Sequence, residues 1–137
     1  MAYHVLGGLL VASLAHKSTT PSLPSPTDIV REIYRQSPSP RLVVYLTGGG
    51  TELVPWMLAT PGASRTVLDL QVPYSQRALS QLLKDAPLKR CCVPDVARQM
   101  AIAAYARARE LQDPTAAEGE PPCVGLGCTA ALQTNDA

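Results

Sequence analysis

A mixed α/β domain is the fold class that this sequence of 137 residues predicts, and three observations carry the prediction. The stretch Arg41-Leu-Val-Val-Tyr-Leu-Thr-Gly-Gly-Gly-Thr51 is a short apolar run entering three glycines, the pattern of a buried strand that ends in a tight loop. Helix-like and strand-like segments follow one another in the order helix, strand, helix, strand, helix, helix, strand. The longest helical segment carries a mostly small-residue stripe, Ala97, Ala101, Ala104, Ala108 and Leu111, which suits close packing on a sheet.

The length allows one domain with a single modest core, expected over 27–132, after a terminal segment over 1–26 and before a short tail over 133–137. Lys and Arg number 12 against 11 Asp and Glu, a net charge of +1. That balance offers no basic face for nucleic acid. Phe is absent and Trp occurs once, so the core is expected to be built from Leu, Val, Ala and Ile.

Val5 to Ala15 is apolar but too short to span a membrane. It reads as a loosely docked terminus. A secretory or organellar leader cut near Ser13-Leu14-Ala15 stays open, although no Lys or Arg precedes the run. Lys17 to Pro26 is a Ser/Thr/Pro linker. Thr27 is the expected N-cap of a first helix reaching Gln36, with Ile29, Val30, Ile33 and Tyr34 on its apolar face. Ser37-Pro-Ser-Pro40 stops it, and a strand follows over Leu42 to Leu46.

A short helix is expected from about Thr51 to Ala59, because a start as early as Gly48 would put Pro55 in the helix interior. Pro61-Gly62 marks a turn and Thr66 to Val72 a second strand. Ser75 is the expected N-cap of a helix to about Lys84, whose stripe is Ala78, Leu79, Leu82 and Leu83. Pro94 and Asp95 suit the start of the long helix, which runs to about Leu111. Its Arg98, Arg107, Arg109 and Glu110 read as a solvated face. Asp113 to Pro122 is a loop. Cys123 begins a third strand, and Gly125-x-Gly127 reads as a second loop where backbone comes close to a ligand.

The four cysteines, Cys91, Cys92, Cys123 and Cys128, do not have zinc-finger or ribbon spacing. They read as buried, reduced thiols acting as small apolar residues, compatible with a reducing, cytoplasmic compartment. No metal site and no cofactor is expected.

Several blocks together resemble the CinA carboxy-terminal domain family, the nicotinamide-nucleotide amidases, in a divergent eukaryotic form. Leu46-Thr47-Gly48-Gly49 resembles the Cys-Thr-Gly-Gly of that family's Glu-Ser-Cys-Thr-Gly-Gly signature. Thr60-Pro61-Gly62-Ala63-Ser64 is similar to its Pro-Gly-Ser-Ser turn, and Val72-Pro73-Tyr74-Ser75 to the start of its Tyr-Ser-Asn-Glu-Ala-Lys segment. Val93-Pro94 through Ala104 resembles its long helix, and Val124-Gly125-Leu126-Gly127 lies where the family has a Gly-Ile-Ala-Gly-Pro loop. The blocks keep the family's order from Thr27 to Leu132. The resemblance implies a three-layer α/β/α domain, here apparently lacking the family's last strand and helix. That would leave an exposed edge open to a partner.

The family removes ammonia from nicotinamide mononucleotide with a serine nucleophile and an activating lysine. Here those positions hold Tyr45 and Leu79. The resemblance therefore implies a degenerate domain that at most binds a pyridine nucleotide. An active deamidase with a rewired site, using Thr47 and Ser75, is one alternative; a structural or partner domain of a nucleotidyltransferase-like protein is another. Residues implied for ligand binding are Thr47, Gly48, Gly49, Gly50, Thr51, Tyr74, Ser75, Gly125 and Gly127. Expected partners are a nucleotide and a second copy or a fused enzyme domain, with no nucleic acid and no membrane.

Overall fold

The central strand, β1, spans Arg41–Gly48 and is buried from Leu42 to Thr47. The computed structural model describes residues 23–112 and 121–131. The readings made for residues 1–22, 113–120 and 132–137 lie outside them. β1 is flanked by β2 (Val67–Gln71) and β3 (Cys123–Ala130) in a parallel sheet of order β2-β1-β3. The mixed α/β class stands. β1 pairs with β3 in unbroken register from Arg41↔Cys123 to Gly48↔Ala130, whereas its register with β2 shifts between Leu42 and Val43.

Alternate residues of a strand point to opposite faces, and β1 builds two clusters in this way. Val43 and Tyr45 pack with Leu79 of α4 (Gln76–Leu82) and with Val96, Met100, Ala104 and Ala108 of α5 (Pro94–Leu111). Leu42, Val44 and Leu46 pack with Val30 and Tyr34 of α1 (Pro26–Arg35) and Met57 of α2 (Leu53–Ala59). The core thus includes Met57, Met100, Tyr34 and Tyr45, and no isoleucine is buried among the described residues. With Phe absent, the long thioether and phenol side chains fill its volume.

Local chemistry sets the boundaries. α1 begins one residue before the expected cap: Ser25, not Thr27, caps it, its Oγ accepting from the Asp28 amide at 3.2 Å. Pro26 then occupies the first turn, where its missing N–H costs nothing. Ile29, expected inside, is half exposed. A 3-10 turn over Gly49–Glu52 precedes α2, so Pro55 falls at the third helical position, where no intrahelical donor is required. Gly62 takes φ 109° between α2 and α3 (Ala63–Thr66), and an added Cβ would lie 3.2 Å from Tyr34 Cβ.

The largest departure from the sequence reading is at the C-terminal glycines. Gly125 and Gly127 are not in a loop; they lie inside β3, opposite Val43 and Tyr45. A Cβ on Gly125 would sit 2.3 Å from the Ala101 carbonyl oxygen and 2.2 Å from the Tyr105 amide nitrogen of α5. On Gly127 it would sit 2.4 Å from the Ala97 carbonyl oxygen. The small-residue stripe of α5 therefore meets a glycine stripe on β3, and the two backbones touch. Leu111, placed on that stripe by spacing, is exposed instead, because the strand it would reach starts only at Cys123.

Candidate functional site

The carboxyl end of β1 is where the sequence places a site, and here the chain ties itself together. Thr47 is 6% exposed and its Oγ1 donates to the Pro73 carbonyl at 3.0 Å. Its register neighbour on β3, Thr129, donates to the Cys91 carbonyl at 2.9 Å. Pro73 leads into α4 and Cys91 into α5, so two adjacent threonines fix the approach of both helices. Ser75 is the N-cap of α4 as expected, its Oγ accepting from the Ala78 amide at 3.1 Å. Ser75→Ala is expected to cost about 1 kcal/mol in chemical denaturation, the usual worth of a lost cap.

The glycines of this turn make room for protein. Gly48 has φ 75°, and a Cβ there would lie 1.8 Å from the Ala130 carbonyl oxygen. One on Gly50 would lie 2.9 Å from Cys128 Sγ. Gly49 and Thr51 belong to the 3-10 turn and are half-buried. Tyr74 is 72% exposed beside Ser75. Thr47, Tyr74 and Ser75 are thus brought to one rim with the Gly48–Thr51 turn, while Gly125 and Gly127 lie apart from it, under α5. Neither candidate hydroxyl bonds a basic side chain: Thr47 donates to a carbonyl and Ser75 accepts from an amide.

The two positions singled out by the resemblance are both interior. Tyr45 and Leu79 are 3% and 1% exposed and belong to one cluster with Met100. Burial raises the Tyr45 phenol above its ordinary value, Asp69 and Glu110 add to the rise, and Arg107 opposes it. Tyr45 forms part of a cavity of about 420 Å³ between α4 and α5, lined also by Leu83, Lys84, Ala103, Arg107 and Glu110. Arg107 Nε lies 3.6 Å from Asp69 Oδ2 and its Nη1 3.3 Å from Glu110 Oε2. This group escapes a sequence reading because β1, β2 and α5 contribute to it from distant parts of the chain. Arg107 and Glu110 alone look like a solvated helix face.

Cys91 and Cys123 pack against the Tyr45 cluster and Cys128 against the Leu46 cluster, in keeping with their apolar reading, but each is half-buried rather than buried. Cys92 departs from it: it is exposed, with Sγ 3.4 Å from Thr129 Oγ1, because Cys91 already turns toward the core. Among the described residues no group of His, Cys, Asp and Glu could hold a metal ion, and no helix is long and apolar enough to cross a membrane. Comparison of the chain with protein-family models, curated proteins and solved structures finds no match.

Proposed function

We propose that this chain is a domain of the CinA carboxy-terminal type, layered α/β/α, that binds a pyridine nucleotide or a partner without amidase turnover. One observation carries the reading: Tyr45 and Leu79, which stand where the resemblance would have nucleophile and base, are buried neighbours in one largely apolar cluster. A phenol pushed above its normal range is a poorer nucleophile at neutral pH, and leucine accepts no proton. The remaining hydroxyls, on Thr47 and Ser75, are committed to holding α4. The rim left for a nucleotide is the Gly48–Thr51 turn with Tyr74, whose exposed ring can stack on a base or a pyridine.

Incubation with nicotinamide mononucleotide is expected to release no ammonia above the level of the Thr47→Ala/Ser75→Ala variant. Calorimetric titration of the same nucleotide is expected to saturate in the millimolar range or below, and more weakly in Tyr74→Ala. Ammonia release that the double variant lacks would overturn the non-catalytic reading. Absence of heat from folded protein would overturn the nucleotide.

The partner reading draws on a separate observation. Among the described residues no strand covers the outer edge of β3, and Val124 and Leu126, on the sheet face shared with Leu42 and Val44, are 39% and 41% exposed. β3 also lacks any charged residue that would discourage pairing. Sedimentation velocity on the same preparation distinguishes a second copy on this edge from a monomer.

A further inference from the structure

The amino end of the sheet carries a feature of different chemistry. A cavity of about 500 Å³ opens between the last turns of α1 and the short α3, above the buried Tyr34 ring. Arg31, Arg35 and Arg65 line it, together with Gln36, Ser37 and Ser39, and among the described residues no carboxylate does. In a chain whose net charge is only +1, three guanidinium groups around one concavity are a local concentration of positive charge.

Their placement follows from the fold. Arg31 and Arg35 are one helical turn apart on α1 and therefore share a face. Arg65 comes from the opposite wall, on the last turn of α3. That wall is held in place: Arg41 Nη1 donates to the Arg65 carbonyl at 2.9 Å, and Ser39 Oγ bonds Thr66 Oγ1 at 2.8 Å. Arg65 pairs with no carboxylate among the described residues. Arg31 pairs with Asp28 at 2.8 Å and Arg35 with Glu32 at 3.9 Å, both pairs well solvated. Such solvated pairs bind loosely and can be exchanged for a better acceptor.

We propose that this cavity is a binding site for a phosphate or diphosphate group carried by a small molecule. A guanidinium is a planar fork of donors that matches two phosphate oxygens at once, and three arginines line this cavity with Ser37. The volume suits a small molecule. The site is independent of the nucleotide reading above, since it lies at the opposite end of β1 from the Gly48–Thr51 turn.

The test is titration of the full chain, at low ionic strength, with inorganic diphosphate, a nucleoside diphosphate, a phosphoserine peptide and single-stranded RNA. Inorganic diphosphate and the nucleoside diphosphate are expected to saturate, the second more tightly if the ligand is an ester. Arg65→Ala, at an exposed position, is expected to weaken both by about tenfold with an unchanged circular dichroism spectrum. Arg77→Ala removes the same charge from α4, away from the cavity, and is expected to leave binding unchanged. Equal loss in Arg65→Ala and Arg77→Ala would overturn the proposal, as would no saturation by either diphosphate. Binding of RNA or phosphopeptide without binding of the small diphosphates would also overturn it.

Discussion

Gly125→Val is expected to remove a large part of the stability of this protein. The atoms a side chain would meet are the Ala101 carbonyl oxygen, the Tyr105 amide nitrogen and the Tyr105 Cα, all within 2.7 Å of the Cβ position. They belong to a helix backbone, so no rotamer change relieves the overlap; α5 must lift off β3. Lifting it opens the cluster of Val43, Tyr45, Met100 and Ala104. Overpacking costs about 1–3 kcal/mol where side chains can give way, and here about 4 kcal/mol or more is expected. Against a total of about 5–15 kcal/mol for a domain, a loss of that size should lower the urea midpoint sharply. Gly50→Ala is the contrast. Its nearest neighbour is the Cys128 thiol, a single side-chain atom that can rotate, so a loss of about 1 kcal/mol or less is expected. A Gly125→Val variant of native stability would show that α5 does not rest on β3.

Leu79→Lys puts a lysine where the proposed amidase-like reading would have a base, and is expected to destabilise by roughly 4 kcal/mol rather than to supply one. Leu79 is 1% exposed and surrounded by Val43, Tyr45 and Met100. An ammonium there loses its water with no carboxylate in the cluster to replace it. The sign of the pH dependence follows. Burial lowers the lysine pKa in the folded state below its unfolded value of about 10.4. The penalty is therefore small above that value and grows as pH falls toward the folded pKa. Denaturation at pH 7 should show a larger loss than at pH 9.5, and Leu79→Met should cost less than about 1.5 kcal/mol at both. A Leu79→Lys protein as stable as the native one at pH 7 would mean that this position reaches solvent. The non-catalytic reading would then lose its main support.

Much of the architecture is legible from local chemistry. The apolar run at Leu42–Leu46 marks a strand, Ser75 and Pro94 mark helix starts, and Pro61-Gly62 marks a turn, because each signal lies within a few residues of its effect. The Ser25 cap is hidden although Ser25-Pro26 carries the same kind of signal as Val93-Pro94, since Thr27 offers an equally good hydroxyl two residues later. The glycines of β3 show a different limit. Gly-x-Gly reads as a loop when glycine is taken as a turn residue, yet a spacing of two also places both glycines on one face of a strand. Only the partner stripe, Ala97 and Ala101, tells which meaning applies, and it lies on another element. The clusters around Tyr45 and around Arg65 were not legible, since each draws on segments that only the fold brings together.

Placing the central strand early in the chain has a consequence for the order of folding. β1 can meet β2 soon after synthesis, across some twenty residues, but its longer and better-registered neighbour is β3, which starts at Cys123. Until β3 emerges from the ribosome, α5 lacks the glycine surface on which it rests, and one side of β1 stays unpaired. Closing so long a loop before any return in contacts is slow, and an unpaired β1 edge rich in valine and leucine is prone to capture by another nascent chain. The protein is therefore expected to fold only once β3 has emerged, rather than from its amino terminus forward.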